Sequence, residues 1–272
     1  MNKVKYVLAS LKPFVCAMIL LLLVAAVYII GVGFLIASAF DSSQISNHDV
    51  FINAVEEVIK MPSVLFSIQT LWATLILAIF GTWYKKKYAI YKKLPCFEEL
   101  APFGTAVIYM FFAVYFILAM LNRFLPVATN DYNNAMNFDN TANVIVYIII
   151  MGPISEEIIF RGLIQSIAKK GVGPKVANAI QALLFGIMHF NLFQGTYAFL
   201  MGLYLGYTKE RHQTLMVPIL LHIIFNSLNY IPVSVSVGLV SALTLVCVYL
   251  KKINENRRED DKMAVFNFAV SK

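Results

Sequence analysis

The chain has 272 residues, of which 60% are hydrophobic and only 14% are charged, with a net charge of +7. A soluble domain carries about 25% charged residues, so this composition excludes an ordinary soluble globule and points to an integral membrane protein folded as one bundle. The three cysteines, Cys16, Cys96 and Cys247, are scattered without a CxxC or any paired spacing and read as packing residues or spectators.

About 20 apolar residues cross a bilayer core of about 30 Å. On that ruler eight hydrophobic segments are predicted: 14–40, 61–84, 101–122, 143–168, 176–190, 196–208, 214–230 and 233–250. The first follows Lys3, Lys5 and Lys12 and ends in "IASAF", an A-x-A-like pattern. Its apolar run is longer than the roughly 7–15 residues of a signal sequence, so a retained helix is expected. Between the first and second segments, "VFINAVEEVIK" reads equally well as an amphipathic helix at the outer interface or as a connecting loop. The polar stretch 130–143 and the tail 254–262 are expected to be solvated. Segments five and six are short. Joined, they would make one helix of about 50 Å, too long for a single crossing, and "NLFQG" (Asn191–Gly195) is the expected break.

Eight crossings with both termini in the cytoplasm place every lysine and arginine except Lys60, Arg123 and Arg161 on the cytoplasmic side. The positive charge is thereby explained by topology and contact with the lipid bilayer, and a nucleic-acid partner is not called for.

Charged groups at membrane depth cost at least a few kcal/mol each and are functional candidates. The eight segments contain three, Glu156, Glu157 and Arg161, all in "SEEIIFRG", together with His189 and His222. Glu157 and Arg161 stand at i and i+4 with the acid first, the favourable order for an ion pair. Glu156 is rotated about 100° away and lacks that local partner. Burial without a partner makes a carboxylate more basic, the property that a general base needs. "FGIMH" puts Phe185 and His189 on one helix face, and "HIIFN" does the same for His222 and Asn226. Counted at about 1.5 Å per residue from the nearest cytoplasmic basic residue, Glu156, His189, His222 and Asn226 all lie roughly 16–22 Å deep, in one layer. A carboxylate with an imidazole can deprotonate a water, and a second imidazole with a carboxamide can donate to a tetrahedral oxyanion. The same Glu156, His189 and His222 form a zinc ligand set with one open position, and spacing does not choose between the two chemistries.

These residues resemble a known family. "EEIIFR", "FGIMH" and "HIIFN" are similar, in order and spacing, to the EExxxR, FxxxH and HxxxN motifs of the CPBP intramembrane proteases. That group includes type II CAAX prenyl endopeptidases and bacterial bacteriocin-processing or self-immunity proteins. The likeness covers about residues 143–230, flanked by an N-terminal region (1–142) without a matched motif and a C-terminal part (231–272) with the last helix and a basic tail. It implies an all-α polytopic membrane peptidase with its catalytic core in helices 4, 5 and 7. It also implies that Glu156 activates water with His189 while His222 and Asn226 stabilise the oxyanion, with Glu157, Arg161 and Phe185 as structural support. The metal-independent version is favoured, because asparagine is an unusual zinc ligand and a good oxyanion donor. The expected partner is a membrane-associated peptide or protein substrate. The Lys-, Ile- and Asn-rich composition suggests a bacterial plasma membrane. Two other classes compete: a non-catalytic immunity or regulatory partner, motivated by the long motif-free N-terminal half, and a proton-coupled transporter, against which the absence of repeated halves argues. Oligomeric state leaves no signal in the sequence.

Overall fold

The computed structural model describes residues 3–40, 48–88, 97–135, 145–228 and 233–270, and these are helical with no strand among them. The first helices are α1 (Lys3–Ala39), α2 (His48–Lys60), α3 (Pro62–Tyr88), α4 (Phe97–Phe124) and α5 (Pro126–Ala135). The motif-bearing region follows as a π-helical stretch, Tyr147–Met151, then α6 (Gly152–Glu157), a second π-helical stretch, Ile158–Gln165, and α7 (Ser166–Ile187). The chain closes with α8 (Leu192–His212), α9 (Met216–Leu228) and α10 (Val233–Val270). Cys96 and the polar residues 136–143 lie outside the described residues.

Among the described residues three stretches, Lys3–Ala39, Ser63–Lys86 and Val107–Phe124, are long and apolar enough to cross a membrane, and Met216–Leu228 is a shorter apolar helix. Their large apolar side chains point outward in rows, as with Leu22, Val27, Ile30 and Phe34 on α1 and Phe112 and Phe116 on α4. In water such rows would be a liability; in lipid they are the solvent-facing surface. The stretch 50–60 is helical: α2 has no buried residue and packs beside α1 and α3.

The core gathers around the second π-helical stretch, whose eight residues are all buried. α1 belongs to this core. Ala17 is fully buried, the Phe14 ring meets Phe160 edge-on at 6.4 Å, and the Trp72 indole donates to the Ala17 carbonyl at 2.9 Å. At the C-terminal side, α10 packs along α4, and Cys247 fills the space left by Gly104.

The break between the fourth and fifth segments falls at Gly173–Pro174. Gly173 takes a positive φ of 79°, which a side chain would strain, and Pro174 withholds an N–H. The next break comes just before "NLFQG". Helix α7 ends at Ile187, Phe190 has φ 50°, and the Asn191 side chain caps α8 by accepting from the Gln194 N–H at 2.9 Å. The resulting α7–α8 hairpin is held at backbone contact. A Cβ on Gly186 would stand 2.7 Å from the Gly195 carbonyl. Carboxamides then reach the α8 backbone: Asn178 donates to the Leu203 carbonyl at 2.8 Å, Gln181 to Gly202 at 2.8 Å and Gln165 to Gly206 at 3.0 Å. Small residues with interhelical hydrogen bonds are the means of helix association available in lipid, where the hydrophobic effect between helices is absent.

Candidate active site

Gly152–Pro153 sets the geometry of the glutamate pair. Within the first π-helical stretch the Gly152 N–H donates to the Tyr147 carbonyl, five residues back. In that register the following residue would serve the Ile148 carbonyl, but Pro153 has no N–H. The missing donor comes from another helix: the Asn226 side-chain amide donates to the Ile148 carbonyl at 2.8 Å. The motif-bearing helix is thus tied to α9 immediately before it presents Glu156 and Glu157.

The expected ion pair is present. Arg161 Nη1 donates to Glu157 Oε1 at 2.7 Å, with both side chains fully buried. It forms even though Arg161 lies in the π-helical stretch rather than in regular α-helix. The guanidinium also stacks on Phe185, 4.5 Å from the ring centroid. Phe185 is the hub of the layer. Its ring meets His189 edge-on at 4.9 Å, His222 at 5.8 Å and Phe160 at 5.0 Å.

His222 lies between the two glutamates. Its Nδ1 is 2.9 Å from Glu157 Oε1 and its Nε2 is 3.7 Å from Glu156 Oε2. Sequence spacing leaves Glu156 without a partner; the tertiary structure gives it an imidazole. Glu156 is also the accessible member of the pair, with 14% of its side chain exposed against none for Glu157. Because Glu157 Oε1 is a carboxylate oxygen, the hydrogen on His222 Nδ1 points at Glu157, and Nε2 faces Glu156.

His189 departs from the helical expectation. It lies beyond the end of α7, in the turn before α8, and its Nδ1 is 2.8 Å from the Phe185 carbonyl. The imidazole caps a carbonyl that the ended helix leaves without an amide donor. A carbonyl only accepts, so Nδ1 carries the hydrogen and Nε2 of the neutral ring keeps its lone pair. The ring is within electrostatic reach of Glu156, His222 and Arg161. One polar layer therefore holds Glu156, Glu157, Arg161, His189 and His222, with Asn226 one turn from His222 on α9 and anchored to Ile148.

Spacing does not reveal the buried carboxamides Gln165 and Gln181, or the use of the Ile148 carbonyl. The Gly-Pro pair at 152–153 is the one local signal for the latter. Among the described residues no three His, Cys, Asp or Glu side chains converge closely enough to hold a metal ion, so Glu156, His189 and His222 do not form a ready ligand cage.

Residues 138–228 match the family model described as Type II CAAX prenyl endopeptidase Rce1-like. No curated protein and no solved structure matches the chain. The glutamate–histidine layer lies inside that segment, which is 91 of the 272 residues, and with its long apolar helices the chain is an integral membrane protein that carries a stretch similar to the type II CAAX prenyl endopeptidases.

Proposed function

We propose that the protein is an intramembrane endopeptidase that hydrolyses a peptide bond in a membrane-associated peptide or protein. The observation that carries this reading is the accessible Glu156 carboxylate facing an imidazole, 3.7 Å from His222 Nε2, while a separate, fully buried Glu157–Arg161 pair holds that imidazole from behind. One carboxylate is structural and the other is available for chemistry.

In the proposed reaction Glu156 takes a proton from a water that the His189 Nε2 lone pair helps to orient. The hydroxide attacks the scissile carbonyl carbon, and the negative charge develops on the carbonyl oxygen. His222 and the second N–H of the Asn226 amide stabilise the charge on that oxygen; the first N–H stays on Ile148. The proton on Glu156 then passes to the leaving amine as the C–N bond breaks. In this proposal the reaction uses no metal; full activity of chelator-treated protein free of bound metal supports it, and loss of activity restored by zinc overturns it.

The topology proposed with this activity has eight crossings and cytoplasmic termini, in a bacterial plasma membrane. There the substrate class would be a bacteriocin-like or signalling peptide, and the physiological role its processing or self-immunity. The test is cleavage of a membrane-anchored peptide library by purified protein in proteoliposomes. Glu156→Gln and His189→Ala are expected to abolish cleavage at unchanged folding. Cleavage by either variant at the wild-type rate overturns the assignment. A cellular phenotype that survives Glu156→Gln at unchanged expression indicates the non-catalytic partner instead.

A further inference from the structure

Beyond the Glu157–Arg161 bond lies a set of fully buried polar atoms with no hydrogen-bond partner among the described residues: Arg161 Nε and Nη2, Glu157 Oε2 and Gln165 Oε1. All three residues are on the motif-bearing helix at successive steps of four, a column at the spacing that makes side chains neighbours on a helix surface. Their other atoms are firmly placed. Arg161 Nη1 is on Glu157 Oε1, and Gln165 Nε2 is on the Gly206 carbonyl of α8. Nε and Nη2 form one edge of the guanidinium and present two roughly parallel N–H donors.

An unpartnered buried polar atom is destabilising, and native structures satisfy such atoms with ordered water. The chemistry selects the occupant. The positive charge of Arg161 is already matched by Glu157, which argues against an anion. The site needs a group that accepts from the guanidinium edge and donates to Gln165 Oε1 or Glu157 Oε2, and water does both. The column also leads toward the aqueous end of the bundle. Next to Gln165, Ser166 Oγ receives a hydrogen bond from Lys209 at 3.0 Å, and Lys209 in turn contacts Glu210 at 3.1 Å, which is paired with the partly exposed Lys169.

We propose that the guanidinium edge of Arg161 and the carbonyl oxygen of Gln165 form a built water site beside the glutamate pair. Its existence is independent of the peptidase reading. Its role as a store of hydrolytic water within the membrane rests on that reading.

The test is hydroxyl-radical footprinting by X-ray radiolysis of the purified full chain without substrate. Bound water generates radicals in place and labels side chains that bulk solvent does not reach. Phe185, fully buried and stacked on Arg161, is the reporter; Phe80, on α3 and 3% exposed, is the control. The expected result is labelling of Phe185 above Phe80 that falls several-fold in Gln165→Leu, the remainder being due to water beside His189 and His222. Equal labelling of the two rings in the wild type overturns the proposal, as does labelling of Phe185 that Gln165→Leu leaves unchanged. Should the variant not fold, a high-resolution density map of the wild type decides. A peak bridging Arg161 and Gln165 supports the site, and direct protein partners at Nε and Nη2 overturn it. A labelled Phe185 in a protein that cleaves nothing leaves the water site standing and removes only the peptidase reading.

Discussion

Asn226 has two proposed duties, and Pro153 separates them. Asn226→Ala removes the donor to the Ile148 carbonyl, which Pro153 cannot replace. A hydrogen bond between membrane helices is worth about 0.6 kcal/mol on average and about 1.7 at most. Leaving the acceptor orphaned adds a desolvation cost of the order of 1 kcal/mol. A destabilisation of about 1–2 kcal/mol is expected, or a fall in Tm of about 2–8 °C at this chain length. In a Pro153→Ala background the chain gains a backbone N–H at position 153, which can serve Ile148 in the same five-residue register that Gly152 uses toward Tyr147. There Asn226→Ala should cost little beyond lost packing, so a thermal-unfolding cycle in detergent should show a coupling of about 1 kcal/mol. Equal costs of Asn226→Ala in both backgrounds would refute the Pro153 argument. Cleavage kinetics report the other duty. An oxyanion donor lost from the site reduces kcat by about 10²–10³-fold, and that loss should persist in the Pro153→Ala background even where the stability cost has vanished.

Two further outcomes follow from the buried charges and from the aqueous end of the bundle. Arg161→Met leaves Glu157 buried without its counter-ion and should destabilise by about 3–5 kcal/mol, whereas Glu157→Leu with Arg161→Met should cost less than the two single changes summed; an additive result in unfolding measurements would refute the pairing. Beyond the apolar segments, burial pulls the Glu210 carboxyl upward, but the Lys169 hydrogen bond and the Lys209 charge outweigh it and hold it below the ordinary 4.5. A depressed carboxyl stabilises the fold above its unfolded value and loses that contribution as pH falls through its folded value. Tm should therefore drop on acidification below about pH 4.5, and Glu210→Gln should flatten that part of the profile; an unchanged profile would refute the clamp.

Local spacing carried much of this protein. The apolar runs, the Glu157–Arg161 pair and the breaks near residues 173 and 190 depend on neighbours within one turn or on the chemistry of glycine, proline and asparagine. The motifs sufficed to suggest the family that residues 138–228 match. The tertiary structure alone decided the rest. The π-helical stretches shift the helical phase, and nothing in a hydrophobic pattern marks them. His222 reaches both glutamates, and Asn226 reaches Ile148, because α9 is turned so that these side chains face the motif-bearing helix. That rotation is a property of the packed bundle, in which His222 and Asn226 fasten α9 to the motif-bearing helix. Sequence spacing fixes which residues share a helix face; which face meets which is decided only when the helices pack.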